Sequence, residues 1–550
     1  MRIPRASLIV LACTFFLAMS GFPVALANTV FIAQSGGTFS GGSACNGQST
    51  QAVSYFNSSG NWTSGTPTGQ QIGPGTTVYL CGTISSQLAF QGSGNSSNPI
   101  TLIFDSGAEM SASGTTWHAN EPLYLVNRSY IVINGGTNNV GGGTTDLQAT
   151  GNGTGLATQV SISAIDVSGA SNITIENFGC GPLYQHTSAS DTSPGADSGG
   201  CVTANPQGAN ITVANSTFHD TTDGILFSVA NTGTLNMNVY GNDFYNIDHD
   251  IFTTCGSGGT SSGFYFHNNK IHDSANWDTT ADAFHHDGWI LNYTTGEACT
   301  QVYDYDNQYY GNIGQMNTSW IFFDNNGGTL DAVYVFNDVF MNSNPTYTWN
   351  NGINIMPNNS GGSAHIWNNT VICPVSGGIG LQTEGQNMDV RNNVSSGCGN
   401  FFDTSNAGSA TVAAFDYNYY ADLIPDGTGA FGFLGDATTA SGTLSQQFSS
   451  WKTIVDSLQA GAETHSGEGS TADLNSSGQP QAGSPVIGAG TNLYSTCSGQ
   501  PTPGLGALCQ DIAGKARPTS GDWDIGAFMS GTTPTPGAPT GLNGTLQGTQ

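Results

Sequence analysis

ITVANSTFHD (211–220), NVYGNDFYNI (238–247) and FYFHNNKIHD (264–273) are three versions of one phrase. Each is a short β-rich strand that runs into an asparagine and then picks up an apolar residue again. The phrase extends in both directions: ITIENF (173–178) precedes it, and VYDYDNQYYGN (302–312), VYVFNDVFMN (333–342), AHIWNNTVIC (364–373) and MDVRNNVSSG (388–397) follow. Aligned, they give a column of Asn177, Asn215, Asn242, Asn268, Asn307, Asn337, Asn368 and Asn392, spaced by 24 to 39 residues. That spacing is too irregular for an exact tandem repeat. It suits coils of constant core length that carry loops of different size.

Coils stacked at the parallel-strand spacing of about 4.8 Å bring equivalent side chains into line. Asparagine amides at one turn then hydrogen-bond along the stack, while alternating β-branched and aromatic residues fill the interior. The expected fold class is all-β: a single right-handed parallel β-helix, a solenoid with irregular loops. Hairpin turns at the regular spacing of a sandwich are not evident. GTTVYLCGTI (75–84) and NPITLIFDSGAEM (98–110) read as first coils, and LSQQFSSWKTIVDSLQAG (444–461) as a small helix capping the last one.

The ends set the boundaries. Arg2 and Arg5, the apolar run Leu8 to Met19 and the Ala25-Leu26-Ala27 site read as a signal peptide over 1–27. The β-helix domain then covers 28–530, and 531–550 is a Pro/Thr/Gly-rich flexible tail. Past the leader, 37 acids face six bases, a formal charge of −31. Nucleic acid and anionic membrane both require clustered Lys and Arg, so they are excluded as partners. Nor does any later stretch approach the roughly 20 apolar residues of a membrane span. The expectation is an exported, extracellular monomer. Ten cysteines remain after the leader, and pairing them in order (Cys45–Cys81, Cys180–Cys201, Cys255–Cys299, Cys373–Cys398, Cys497–Cys509) is the simplest scheme.

The ladder resembles the pectate-lyase-like superfamily of right-handed β-helices. SPVIGAGT (484–491), DIAGKARP (511–518) and DWDIGAF (522–528) resemble the closing signature of secreted bacterial β-helix-repeat proteins. The resemblance implies the fold and an extracellular polysaccharide as partner. It does not select an activity, because lyases, hydrolases, epimerases and non-enzymes share the architecture.

Ionisable residues crowd into 219–287. His219-Asp220 and His272-Asp273 hold one position, and Asp223 in TTDGILF, Asp250 in DHDIFTT and Asp287 in HHDGWIL align as a second column. Carboxylates on successive coils repel, so one is expected to hold its proton as a general acid while another stays ionised. The catalytic candidates are therefore Asp223, Asp250 and Asp287, with His286 assisting. His219, His272 and Trp289 are candidates for substrate binding. TTDG and the later HD resemble acid motifs of polygalacturonase-like hydrolases, but the Gly-His-Gly and Arg-x-Lys that normally follow are missing. A neutral or weakly charged glycan suits the chain better than a polyuronate.

The leading expectation is a polysaccharide-degrading glycoside hydrolase. Two alternatives stand beside it. One is a non-catalytic surface or adhesion β-helix that binds glycans. The other is a Ca²⁺-dependent lyase or epimerase, with Lys270 as its base. Asp before Gly is favoured in turns for local reasons alone. Oxygen-rich acids also leave Ca²⁺ open as the one cofactor.

Overall fold

The computed structural model describes residues 28–531 apart from 138–144, 153–159, 184–198, 229–230, 275–285, 313–318, 343–350, 356–361, 374–378, 384–386, 399, 404–410 and 422–442. The leader and nearly all of the tail expected from the sequence lie outside the described residues.

The chain winds as a parallel β-helix. Thirteen strands, from Thr29–Ala33 through Ile211–Ala214, Gly233–Tyr240, Thr260–His267 and Glu297–Tyr305 to Val412–Asp416, stack in chain order as one sheet. Two further ribbons of short strands complete each coil. At two coils these ribbons merge, because Thr217–Phe227 and Asp243–Thr254 run through the corner as single strands of 11 and 12 residues. On the next coil the same path is split between Lys270–His272 and Asp287–Thr294.

Pleat alternation explains the core. One inward column runs Val78, Leu102, Ile133, Ile175, Val213, Val239, Phe266, Asp304, Val335, Ile366, Val390 and Phe415 in unbroken register. Every member but Asp304 is apolar, so a β-helix interior is a stack of hydrophobic rows.

The asparagine column proves to be two columns, one residue apart. Asn177, Asn215, Asn268, Asn337, Asn368 and Asn392 occupy a left-handed corner position with φ between 51° and 61°. Asparagine tolerates that conformation better than most residues. Asn242 and Asn307 belong instead to a buried ladder one residue later: Asn242, Asn269, Asn307, Asp338, Asn369, Asn393 and Asn418. Within it each side-chain oxygen accepts a backbone N–H from the preceding coil, and each amide nitrogen donates to a carbonyl. Asn369, for example, accepts from Asp338 N at 2.9 Å and donates to Val335 O at 3.0 Å.

The C-terminal end is closed. Helix Leu444–Asp456 starts from a Thr443/Gln446 capping box and buries Phe448, Trp451 and Val455 against the last coil. The closing segment folds back along the outside of the first sheet, where Leu493, Leu508 and Trp523 pack on Tyr303, Tyr305, Phe336 and Trp367. It is pinned to the left-handed corner: Asn392 exchanges bonds with Thr491, and Asn368 donates to Asp524 O. Arg517, buried there, donates to Asn337 Oδ1 at 2.8 Å. All five cysteine pairs form in sequential order. Among the described residues, no helix is long and apolar enough to cross a membrane.

Candidate active site

The candidate residues fall at the corner where the two long strands turn. Register there is Ser163, Gly200, Asp223, His249, Asp287, Ser319 on successive coils. Histidine, not aspartate, therefore sits between Asp223 and Asp287. Asp250 lies one residue further on, in the row of Gly224 and Gly288. The apolar phase explains the shift, since Ile225, Ile251 and Trp289 are in register. Ile251 follows Asp250 directly, whereas Ile225 stands two residues after Asp223.

The glycines of that row have a physical cause. At this corner two consecutive side chains turn inward, and a Cβ on Gly224 would meet Asp250 O at 2.6 Å and the Phe244 ring at 2.8 Å. One on Gly288 would meet Trp320 O at 2.6 Å and Tyr309 at 2.9 Å. Asp250 is accommodated between these two small residues, in the interior. Burial pushes its carboxyl well above the ordinary carboxylate range. It is enclosed with Tyr309 rather than open to a substrate, which corrects its place among the surface carboxylates.

Asp223 and His249 form the wall of a cleft of about 440 Å³ that also takes in Ser163, Asp166, Thr203, Asn205, Leu226 and Phe252. His249 Nδ1 stands 3.4 Å from Asp223 Oδ1. Burial raises the Asp223 carboxyl to about 6, against the opposing pull of His249. For His249, burial disfavours the charged ring, but Asp223, Asp287 and Asp248 outweigh it and lift the imidazole to about 9. Asp287, in the same column, is not brought to this cleft: it is 0 % exposed, and its Oδ1 accepts from Ser319 N at 2.9 Å, which fixes the carboxylate on its coil. One residue earlier on the same coils, His286 Nδ1 lies 3.3 Å from Asp248 Oδ1, both almost fully buried. The corner therefore holds two histidine–aspartate pairs. Asp248 and His249 were missed in the sequence. The signal that would have found them was the apolar phase rather than the match of one aspartate to another.

The other candidates lie elsewhere. His219 and His272 stand before the corner, in a face-to-face column His219, Tyr245, His272, Tyr310 with ring centroids 4.7–5.5 Å apart. Stacked this way they present ring edges outward, and both nitrogens of His272 and Nδ1 of His219 are engaged. His219 meets Asp220 at 2.6 Å, and His272 meets Asp243 and Asp273 at 2.9 Å each. Burial opposes the charge on His272, but these carboxylates raise it to about 9. Trp289 is 0 % exposed, packs edge-on against Phe323, and donates Nε1–H to Thr253 Oγ1 at 2.9 Å. It is a core residue with no face for a sugar. Lys270 is in register with Asp243 and Gln308 on the histidine–tyrosine face, away from the cleft. Among the described residues, no group of three or more His, Cys, Asp and Glu has the geometry to hold a metal ion.

Comparison with known proteins adds little beyond this geometry. No family model and no curated protein matches the chain. Among solved structures it is similar to the crystal structure of pectate lyase Pel9A. That match has 15 % identity and a TM-score of 0.36, and spans 91 % of this chain and 96 % of that one.

Proposed function

We propose that the protein is a secreted glycoside hydrolase whose acid is Asp223. The observation that carries this reading is Asp223 itself. It is 2 % exposed, forms part of a cleft wall, and is held at about 6 with a second carboxylate two coils along the same column.

Two coils separate the Asp223 and Asp287 backbones by about 9.6 Å. That backbone spacing is just beyond the roughly 6.5–9.5 Å between the carboxyls of inverting glycosidases and far from the roughly 5–5.5 Å of retaining ones. In the reaction Asp223, protonated below about pH 6, gives its proton to the glycosidic oxygen. A water attacks the anomeric carbon from the opposite face and gives up its proton to solvent. The carbon–oxygen bond breaks, leaving a free hydroxyl on one product and a hemiacetal of inverted configuration on the other. His249 and the Asp248–His286 pair set the charge balance around the acid. The five disulfides support an oxidising, extracellular setting.

The test is reducing-end release from a panel of polysaccharides, with the anomeric form of the first product followed by NMR. Turnover with inversion, lost in Asp223→Asn, is expected. Retention of configuration, or full activity in Asp223→Asn, would remove the assignment.

A further inference from the structure

The cleft continues from Asp223 toward the N-terminal coils, and this arm has its own chemistry. Its walls come from four successive coils, so it is about 14 Å long and lies parallel to the coil axis. Asp166, Thr203, Leu226 and Phe252 are in register and form one side of it. Asp166 Oδ1 accepts from Ser168 N at 2.9 Å and from Ser168 Oγ at 2.6 Å. Ser168 Oγ in turn accepts from Asn205 N at 2.9 Å. This links two coils into one rigid polar edge, which the half-buried Leu226 and Phe252 side chains continue along the same side.

No cation can reach this arm from the chain's own lysines and arginines. All six beyond the leader are placed elsewhere. Arg128 is bound to Phe90 O, Arg391 to Asp389, Lys515 to Ser530 O, and Arg517 is sealed under the closing segment. Lys452 lies over Phe448 on the capping helix, and Lys270 is on the histidine–tyrosine face. A polyanion entering the arm would meet Asp166 and Asp223, and the one basic group in the wall, His249, is already paired with Asp223. An uncharged sugar would find a ring face in Phe252, a carboxylate and an amide for its hydroxyls, and hydroxyl side chains on both sides.

We infer that this arm is a subsite for an uncharged, extended glycan lying along the coil axis, with one sugar on Phe252 and Leu226 and the next held by the Asp166–Ser168–Asn205 edge. The assignment rests on the hydrolase reading for the position of the cleaved bond, but the binding itself does not.

Calorimetric titration of the Asp223→Asn protein with cello-, xylo- and mannohexaose, and separately with hexagalacturonate, tests it. At least one uncharged hexaose is expected to bind. Phe252→Ala should weaken that binding about tenfold or more, and Phe252→Tyr should restore it. Asp166→Ala should also weaken it, while hexagalacturonate should not bind with or without added Ca²⁺. Binding of hexagalacturonate in preference to all three hexaoses, or an affinity indifferent to Phe252→Ala, would overturn the subsite. Binding as expected without any turnover by the unsubstituted protein would leave the subsite standing and remove the hydrolase.

Discussion

At one corner of this solenoid asparagine follows asparagine for seven coils, with a single aspartate among them. At another, aspartate, histidine and aspartate alternate over three. The difference lies in what each side chain offers its neighbour. An amide both donates and accepts, so identical residues stacked at one coil spacing satisfy each other and the backbone. A carboxylate only accepts, so a column of aspartates could not have held itself together. With His249 inserted, the charges alternate, but burial still lifts Asp223 to about 6. The first corner is built for stability, and the second keeps a titratable group in a cleft at a cost to stability.

The largest effect should come from removing that group. Asp223→Asn keeps shape and volume, so turnover should fall by about 10²–10⁴-fold with little change in the urea midpoint. A matching loss of stability would mean that the residue serves the fold. The converse change is Asn369→Ala in the ladder. It leaves buried backbone groups of Val335 and Asp338 without partners, each lost group costing about 1–3 kcal/mol, so a loss of about 2–6 kcal/mol is expected. Turnover in the fraction still folded should be unchanged.

A smaller effect sharpens the contrast within the ladder itself. Asp338 stands where every neighbour is an amide, and it faces Asp304, the one acid in the apolar interior column, with Asp306 close by. Burial raises Asp304 to about 7, and burial together with Asp304 raises Asp338 well above its ordinary value. Carboxyls raised in the fold stabilise it fully below their unfolded value, near 4, and that contribution is lost as pH rises through about 7. Glu463, also buried and raised to about 7, acts in the same direction. The urea midpoint should therefore be higher at pH 5 than at pH 8. Asp338→Asn should raise it at pH 8 more than at pH 5. The smallest effect belongs to the histidine–tyrosine face, where His219→Phe should change stability by under about 1 kcal/mol and leave turnover intact.

The sequence carried the coil far better than the corner. The strand–asparagine phrase, the capping helix and the cysteine order all depend on local pattern, and local pattern is visible in one chain. The capping helix ends at Asp456, five residues before the expected boundary. The site depends on register, where a slip of one residue reverses which side chain faces outward. Matching Asp250 to Asp223 ignored the position of Ile251, and that single residue separates an interior carboxyl from a cleft-wall histidine. Trp289 was misjudged for the same reason, being in the row of Ile225 and Ile251. The docking of the closing segment onto the asparagine corner joins positions 99 to 180 residues apart and left no local trace.

The coupling between adjacent coils is tested most directly by the pH dependence of kcat/KM on an uncharged polysaccharide, compared between the unsubstituted protein and His249→Gln. Activity should fall as pH rises through about 6 in the former, as the Asp223 proton is lost. Removing the imidazolium beside that carboxyl should move the fall to higher pH. An alkaline limb that stays in place when His249 is replaced would show that Asp223 and His249 do not titrate as neighbours, and the candidate site would lose its basis.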